Sequence, residues 1–349
     1  MSGNNPGASM KKVQLKSPYL LFMGDVPDDH HAKTGHGIAY WRPEKCVGQM
    51  RLPDCPVDVG LPEMDVAAAK QAGVGTAIIG VAFTGGTISD TWIPSLIELA
   101  RAGIDIAAGT HNKLRDNPDL REAAKQGGAK LIDVRVPPEN IEVGSGIKRS
   151  GKRVLMVGTD CAVGKKYGAL ALHRELQSRG VKTDFRASGQ TGIMIAGEGI
   201  PIDAVVADFV AGAAELLSPD NDDDHWDVIE GQGSLLHPGY AAVSLGLLHG
   251  SQPDAIVICH RAGCEILDGL DVDVEIPPLN EVAETALTLA QITNPNCVWA
   301  GISLNTESLI DAERRGYLAD VGGKYGLPCV DPVVTGMADI ADFLLENIK

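Results

Sequence analysis

The sequence predicts an α/β protein built from two parallel-sheet domains, the second of P-loop type. Three observations carry that reading. Short apolar runs of strand type alternate with segments of helical period along the chain. Glycine, proline and polar residues mark their ends, and one strand runs into a glycine-bracketed turn closed by a lysine. Alternation of this kind builds βαβ units with parallel strands. Open parallel sheets bind ligands beyond the strand C-termini, so the residues just after each strand carry the functional argument.

Residues 1–17 are polar and glycine-rich and are expected to form a flexible N-terminus, with Met1–Gly7 a disordered tip. They hold no apolar core of the kind a secretory signal needs. Pro18–Asp25 supplies a first strand, and a polar segment with Asp28, Asp29, His30, His31, His36 and Trp41 follows. The spacing of these histidines matches no standard metal site, so the segment reads as a loop. Helices are expected at Gly60–Gly73, Trp92–Ala102 and Pro118–Gln126. Strands are expected at Thr76–Ala82, Asp105–Gly109 and Lys130–Pro137, the first two running into Phe83-Thr-Gly-Gly86 and Thr110-His111. Neither loop forms the glycine fingerprint of a dinucleotide site. This places a first domain at 18–145 and a second at 146–349, with Pro138–Lys152, rich in Gly, Ser, Lys and Pro, as the linker.

The second domain opens on the apolar strand Val154–Gly158 and the turn Thr159-Asp-Cys-Ala-Val-Gly164, followed by Lys165, Lys166 and a helical alternation from Tyr167. In a strand–loop–helix of this type the inward-facing amides and the helix N-terminus bind a di- or triphosphate, and the lysine adds a full charge. Asp160, Cys161, Ala162, Val163, Gly164, Lys165, Lys166 and Tyr167 are therefore the candidate phosphate-binding residues. The loop departs from the usual G-x-x-x-x-G-K-[ST] twice: its first glycine, Gly158, sits one residue earlier, and Lys166 replaces the hydroxyl that would ligate Mg²⁺. No metal is expected. Cys161 lies at a helix N-terminus, where a thiolate is favoured, but a passive role is the expectation.

Further strands are expected at Lys182–Arg186, Trp226–Glu230, Ala255–Arg261, Val298–Ser303 and Pro328–Asp331. Helices are expected at Asp208–Leu217, Ala241–Leu248, Glu281–Thr293, Leu309–Tyr325 and Met337–Asn347. Three of these strand ends carry polar residues that would converge on the P-loop. Glu230-Gly-Gln232-Gly-Ser234 puts a carboxylate after an apolar strand, where P-loop proteins hold a metal- or water-orienting acid. Ser188-Gly-Gln190-Thr191-Gly192 offers hydroxyls and amides for a carboxylate or phosphate. His260-Arg261 offers a base and a fork for a carboxylate. His237 is a further base candidate. Asp208 and Glu215, seven residues apart, read as a solvated helix face.

The formal net charge is −16 and Lys and Arg form no blocks, which argues against nucleic acid or an anionic membrane as partner. Seven cysteines without C-x-x-C pairs fit free thiols in a reducing cytoplasm. No apolar run approaches the roughly 18 residues of a spanning helix. The expectation is a cytoplasmic protein acting on small molecules, as a homo-oligomer of two or more chains.

Gly158-Thr-Asp-Cys-Ala-Val-Gly-Lys165 and Glu230-Gly-Gln-Gly233 resemble the P-loop and the E-G-x-G segment of dethiobiotin synthetase, which has Thr where this chain has Lys166. The whole chain more closely resembles a family that joins a Rossmann-like N-terminal domain to a P-loop NTPase-like domain and includes a D-glutamate N-acetyltransferase of D-amino-acid catabolism. The matching pieces are Asp58–Pro62, Gly80–Gly86, Ala102–Asp105, Gly109–His111, Asp133–Pro138, the P-loop, Asp208–Glu215, the Glu230 segment and Cys259-His260, covering most of the chain from about residue 20. The resemblance implies acetyl-CoA as donor and the amino group of D-glutamate as acceptor. A P-loop cradles the coenzyme A pyrophosphate without Mg²⁺, and Lys166 adds charge for it or for the 3′-phosphate. Glu230 or His260 then serves as base. Amides near Gly192 or Gly233 serve the oxyanion, and Arg261, Arg186 and Lys113 are candidate clamps for the acceptor carboxylates. Two other classes fit the motif: an ATP-dependent carboxylate-activating or kinase-like enzyme, and a nucleotide-binding regulatory protein without turnover.

Overall fold

A computed structural model describes residues 9–82 and 86–349. It divides into two compact units, one holding Lys11–Val136 with Gln190–Ala204, the other Pro137–Gly189 with Val205–Lys349. Each unit is organised by its own parallel sheet.

In chain order the first unit contains β1 (Lys11–Lys12), β2 (Tyr19–Gly24), α1 (Lys33–Trp41), β3 (Cys46–Arg51), α2 (Val66–Gln71) and β4 (Thr76–Ile79). It continues with α3 (Ile93–Arg101), β5 (Asp105–Ala108), α4 (Pro118–Gly127) and β6 (Leu131–Asp133). Among the described residues its sheet is five-stranded, in the order β3-β2-β4-β5-β6, and every pairing is parallel. This is the doubly wound order in which the chain first steps one way and then crosses back over its first strand. Leu20, Leu21, Phe22, Ile78 and Ile106 are fully buried, as strands covered on both faces require.

Two expectations are corrected here. The polar segment after the first strand is not a loop throughout, because α1 and β3 form within it. A Cβ on Gly35 of α1 would stand 2.7 Å from Met23 Sδ and 3.4 Å from the Gly80 carbonyl oxygen, so the helix packs closely on the sheet and helix–sheet packing decides what polarity obscured. The N-terminus is not loose over all of 1–17, since Lys11 and Lys12 pair antiparallel with Gly199 and Glu198. The disordered tip at Met1–Gly7 and the Phe83–Gly85 part of the first ligand loop lie outside the described residues.

The second unit begins with β7 (Lys152–Gly158), α5 (Lys165–Ser178) and β8 (Thr183–Arg186). The chain then supplies α6 (Gln190–Ala196) and β9 (Glu198–Gly199) to the first unit, an excursion the periodicity did not reveal. The second unit resumes with α7 (Val210–Leu217), β10 (Trp226–Ile229), α8 (Ala241–Ser251), β11 (Ala255–Arg261) and α9 (Leu279–Ala290). It ends with β12 (Val298–Asn305), α10 (Asp311–Tyr325), β13 (Cys329–Val330) and α11 (Ala338–Asn347). Its six-stranded parallel sheet runs β13-β12-β11-β7-β10-β8. One side packs a cluster that includes Met156, Leu172, Val228, Val257 and Ile340.

The predicted linker is not a free tether. Ser145 and Gly146 donate backbone N–H groups to Glu215 at 2.9 and 3.0 Å, and Arg149 donates to the Ser218 and Gly250 carbonyls. Glu215 is thus tied up by backbone amides rather than solvated.

Candidate active site

The strand order assembles the site. With β7 between β11 and β10, the P-loop leaves the sheet flanked by His260 at the end of β11 and Glu230 just past β10. Ser188, just past β8, stands beyond Glu230. The three polar strand ends expected from the sequence therefore lie along one sheet edge.

Glycines shape the loop. Gly164 adopts φ +102° and Ala162 φ +51°, left-handed values that turn the chain back before α5 begins at Lys165. A Cβ on Gly158 would stand 2.5 Å from Lys165 Nζ, so only glycine lets that side chain fold over the loop. Lys165 Nζ donates to the Asp160 carbonyl at 2.6 Å, and burial pulls its pKa down. Val163 is packed into the core, whereas Lys166 is half-buried, with Nζ 5.3 Å from the ring centre of Tyr167.

Asp160 is a brace inside the loop. Its Oδ1 accepts the Cys161 amide at 2.6 Å and its Oδ2 the Asp268 amide at 2.8 Å. His237 completes this brace. Its Nδ1 accepts the Gly239 N–H at 3.0 Å, so the proton sits on Nε2, which donates to the Asp268 carbonyl at 2.9 Å. Both ring nitrogens are committed, which leaves His237 a positioning role rather than that of a base. Asp160, Cys161 and His237 bring metal-ligand atoms within 4.8 Å of one another, but the Asp160 and His237 atoms already serve backbone groups.

Glu230 is the buried acid, 4 % exposed. Its Oε2 accepts the amides of Ser188 and Gly189, both at 3.0 Å, and among the described residues Oε1 accepts none. Burial pushes its pKa up to about 7 against the opposing pull of those two amides and of Lys166 and Lys165. Gly231 is required beside it: a Cβ there would stand 1.7 Å from the Met156 carbonyl oxygen. Ser188 Oγ donates to the Glu230 carbonyl and accepts from Gln232 Nε2 at 3.0 Å. Ser234 is buried and its Oγ accepts the Leu236 amide at 3.3 Å, a turn-closing role. His260 Nδ1 pairs with Thr159 Oγ1 at 2.9 Å, and burial, then Arg261, holds its pKa below the usual histidine value. Arg261 donates from Nη2 to Cys264 Sγ at 3.4 Å and is half-buried.

Four candidates are committed to other partners or to the other unit. Gln190, Thr191 and Gly192 belong to the first unit with α6. There Gln190 Oε1 accepts from Arg135, which also reaches His111, and Thr191 Oγ1 lies 2.9 Å from Thr34 Oγ1. Arg186 is buried between Asp227 and Asp184, at 2.8 and 2.9 Å, so its guanidinium is spent inside the fold and is no clamp for a substrate. Sequence reading missed Thr159 and Asp268. Thr159 lies inside the motif but does not belong to its consensus, and Asp268 sits more than 100 residues away with nothing local to mark it.

Comparison with known proteins agrees with this architecture. Residues 142–341 match a P-loop domain described as a domain of unknown function, DUF1611 C-terminal, and residues 49–137 match its N-terminal Rossmann-like partner. The chain is 51 % identical over 330 residues to a D-glutamate N-acetyltransferase of Tritonibacter scottomollicae, covering 95 % of this chain and 99 % of that one. It is 42 % identical over 328 residues to a D-glutamate N-acetyltransferase of a Pseudoalteromonas species, covering 94 % and 98 %. The crystal structure of a DUF1611 family protein from Anabaena variabilis superposes with a TM-score of 0.85 at 33 % identity, over 95 % of this chain and all of that one. The chain belongs to the DUF1611 family, a Rossmann-like domain followed by a P-loop domain.

Proposed function

We propose that this protein is an N-acetyltransferase that moves an acetyl group from acetyl-CoA to the amino group of D-glutamate, as a step of D-amino-acid catabolism in the cytoplasm. The observation that carries the reading is the pairing of a P-loop lacking the magnesium hydroxyl, with Lys166 in its place, and a buried carboxylate held near pH 7 beside it. The names of the two full-length relatives point the same way.

The residues fit the donor. The loop amides from Ala162 to Gly164, with Lys165 and Lys166, offer donors and two positive charges for a pyrophosphate without a metal. When bound, the donor supplies an activated thioester carbonyl. Glu230, ionised above about pH 7, takes the proton from the attacking amine through its uncommitted Oε1. The amine nitrogen bonds to the carbonyl carbon, the carbon–sulfur bond breaks, and the thiolate leaves. The Thr159–His260 pair borders the loop on its other side, where the neutral imidazole donates or accepts without carrying charge.

Free-thiol release from acetyl-CoA tests this, with D-glutamate, L-glutamate or no acceptor, and with or without Mg-ATP. Release that requires D-glutamate and ignores Mg-ATP is expected. Silence with acetyl-CoA, but ADP formation when small carboxylates are supplied, would return the loop to ATP and overturn the proposal.

A further inference from the structure

The first unit holds a pocket of about 250 Å³ at the opposite end of its sheet from the ligand edge. Tyr19 opens β2 and Lys45 immediately precedes β3, so the pocket sits at strand N-termini, whereas doubly wound sheets bind their principal ligands at strand C-termini. It is therefore not an extension of a site of that kind. Its walls mix apolar and cationic groups: Leu15 and Ile195 on one hand, Lys12, Arg42 and Lys45 on the other, with Tyr19 between them.

The three cations are unspent. In a chain of net charge −16, none of them forms an ion pair among the described residues. Arg42 uses only Nε, which donates to the Ile195 carbonyl at 2.9 Å, leaving its terminal nitrogens for a forked contact. Lys45 Nζ stands 5.9 Å from the centre of the Tyr19 ring. The Tyr19 ring is 3 % exposed, and burial, then Cys46, raises its pKa, so the phenol keeps its proton as a donor. Glu44, on the turn between Arg42 and Lys45, is exposed and lines no wall. Three unpaired cations around one amphipathic cavity are complementary to a multiply charged anion, and they repel one another without it.

We propose that this pocket binds a compact organic anion carrying at least two negative charges and an apolar edge, as a second site independent of acetyl transfer. Dicarboxylates and phosphate monoesters share that chemistry. Phthalate and phenyl phosphate, each with a flat ring, serve as probes that tell the two sources apart. Titration calorimetry on the full chain at fixed ionic strength is expected to show saturable binding of at least one probe, one molecule per chain. The double variant K12Q/K45Q is expected to weaken it by about tenfold or more, the equivalent of about 1.4 kcal/mol, while the melting temperature does not fall below that of wild type. R42Q provides a second reading, because it removes the fork but leaves both lysines. Binding of phthalate alone assigns a dicarboxylate, and of phenyl phosphate alone a phosphate ester. Failure of both probes to bind, or binding unaffected by the lysine pair and by R42Q, overturns the proposal.

Discussion

The Glu230 carboxylate stands 3.0 Å from the amide nitrogen of Ser188, and the Gly189 amide meets the same oxygen at the same distance. Two amides aimed at one buried oxygen stabilise the anion, yet desolvation outweighs them and the pKa is pushed up to about 7. If Glu230 is the base, kcat/KM for acetyl transfer rises with pH through about 7 and then levels. Glu230→Gln should lower kcat by about 10²–10⁴-fold. A pH profile unchanged in the variant would remove Glu230 from the proton path.

The same shift predicts a stability effect of opposite sense. The folded-state pKa lies above the ordinary value of 4.5, so the folded protein holds this proton more tightly than the unfolded chain. That contribution is fully present below about pH 4.5 and is lost as pH rises through about 7. Glu230→Gln cannot ionise, and it should melt higher than wild type above pH 7, with the gap closing towards acid pH. Thermal melts at pH 5 and pH 8 decide it.

Lys165 folds onto the Asp160 carbonyl at 2.6 Å, inside the loop proposed for the coenzyme A pyrophosphate. Lys165→Ala should raise KM for acetyl-CoA by about tenfold or more, the scale of one charge-assisted hydrogen bond, and leave KM for the acceptor nearly unchanged. Donor affinity equal to wild type would take the P-loop out of the donor site.

Arg186 shows how a plausible clamp becomes a structural group. Its removal takes the 2.8 Å guanidinium contact from Asp227, which is 1 % exposed and keeps the Ser218 hydroxyl at 2.6 Å, a long Asn221 contact and His225 Nδ1 at 3.6 Å. Arg186→Ala should cost about 3–5 kcal/mol in urea unfolding, the usual penalty for orphaning a buried charge. KM for the acceptor in the folded protein should hold. A raised acceptor KM at unchanged stability would restore the clamp role.

Gly231→Ala places a methyl group where the Met156 carbonyl oxygen stands 1.7 Å away. Strand β7 cannot yield locally without moving the P-loop it carries. A loss of about 2–3 kcal/mol is expected, measured by chemical denaturation. Wild-type stability in the variant would show that the two strands separate at little cost.

Much of this was legible in the chain before any coordinates. The strand-to-loop-to-helix run from Val154 to Tyr167 is local, because backbone turn geometry and helix initiation depend on neighbouring residues alone. Alternation of apolar runs with helical periods likewise determined two parallel sheets, and the polar residues after them marked Glu230, Ser188 and His260. What sequence reading could not reach is who stands beside whom. The order β11-β7-β10-β8 decided that Glu230 and His260 flank the loop from opposite sides. Tertiary contacts committed both nitrogens of His237 to backbone groups and spent Arg186 on Asp227. They also sent Gln190–Ala204 to the first unit. Each of those outcomes depends on partners dozens to hundreds of residues away, where packing and desolvation, rather than local propensity, set the free energy.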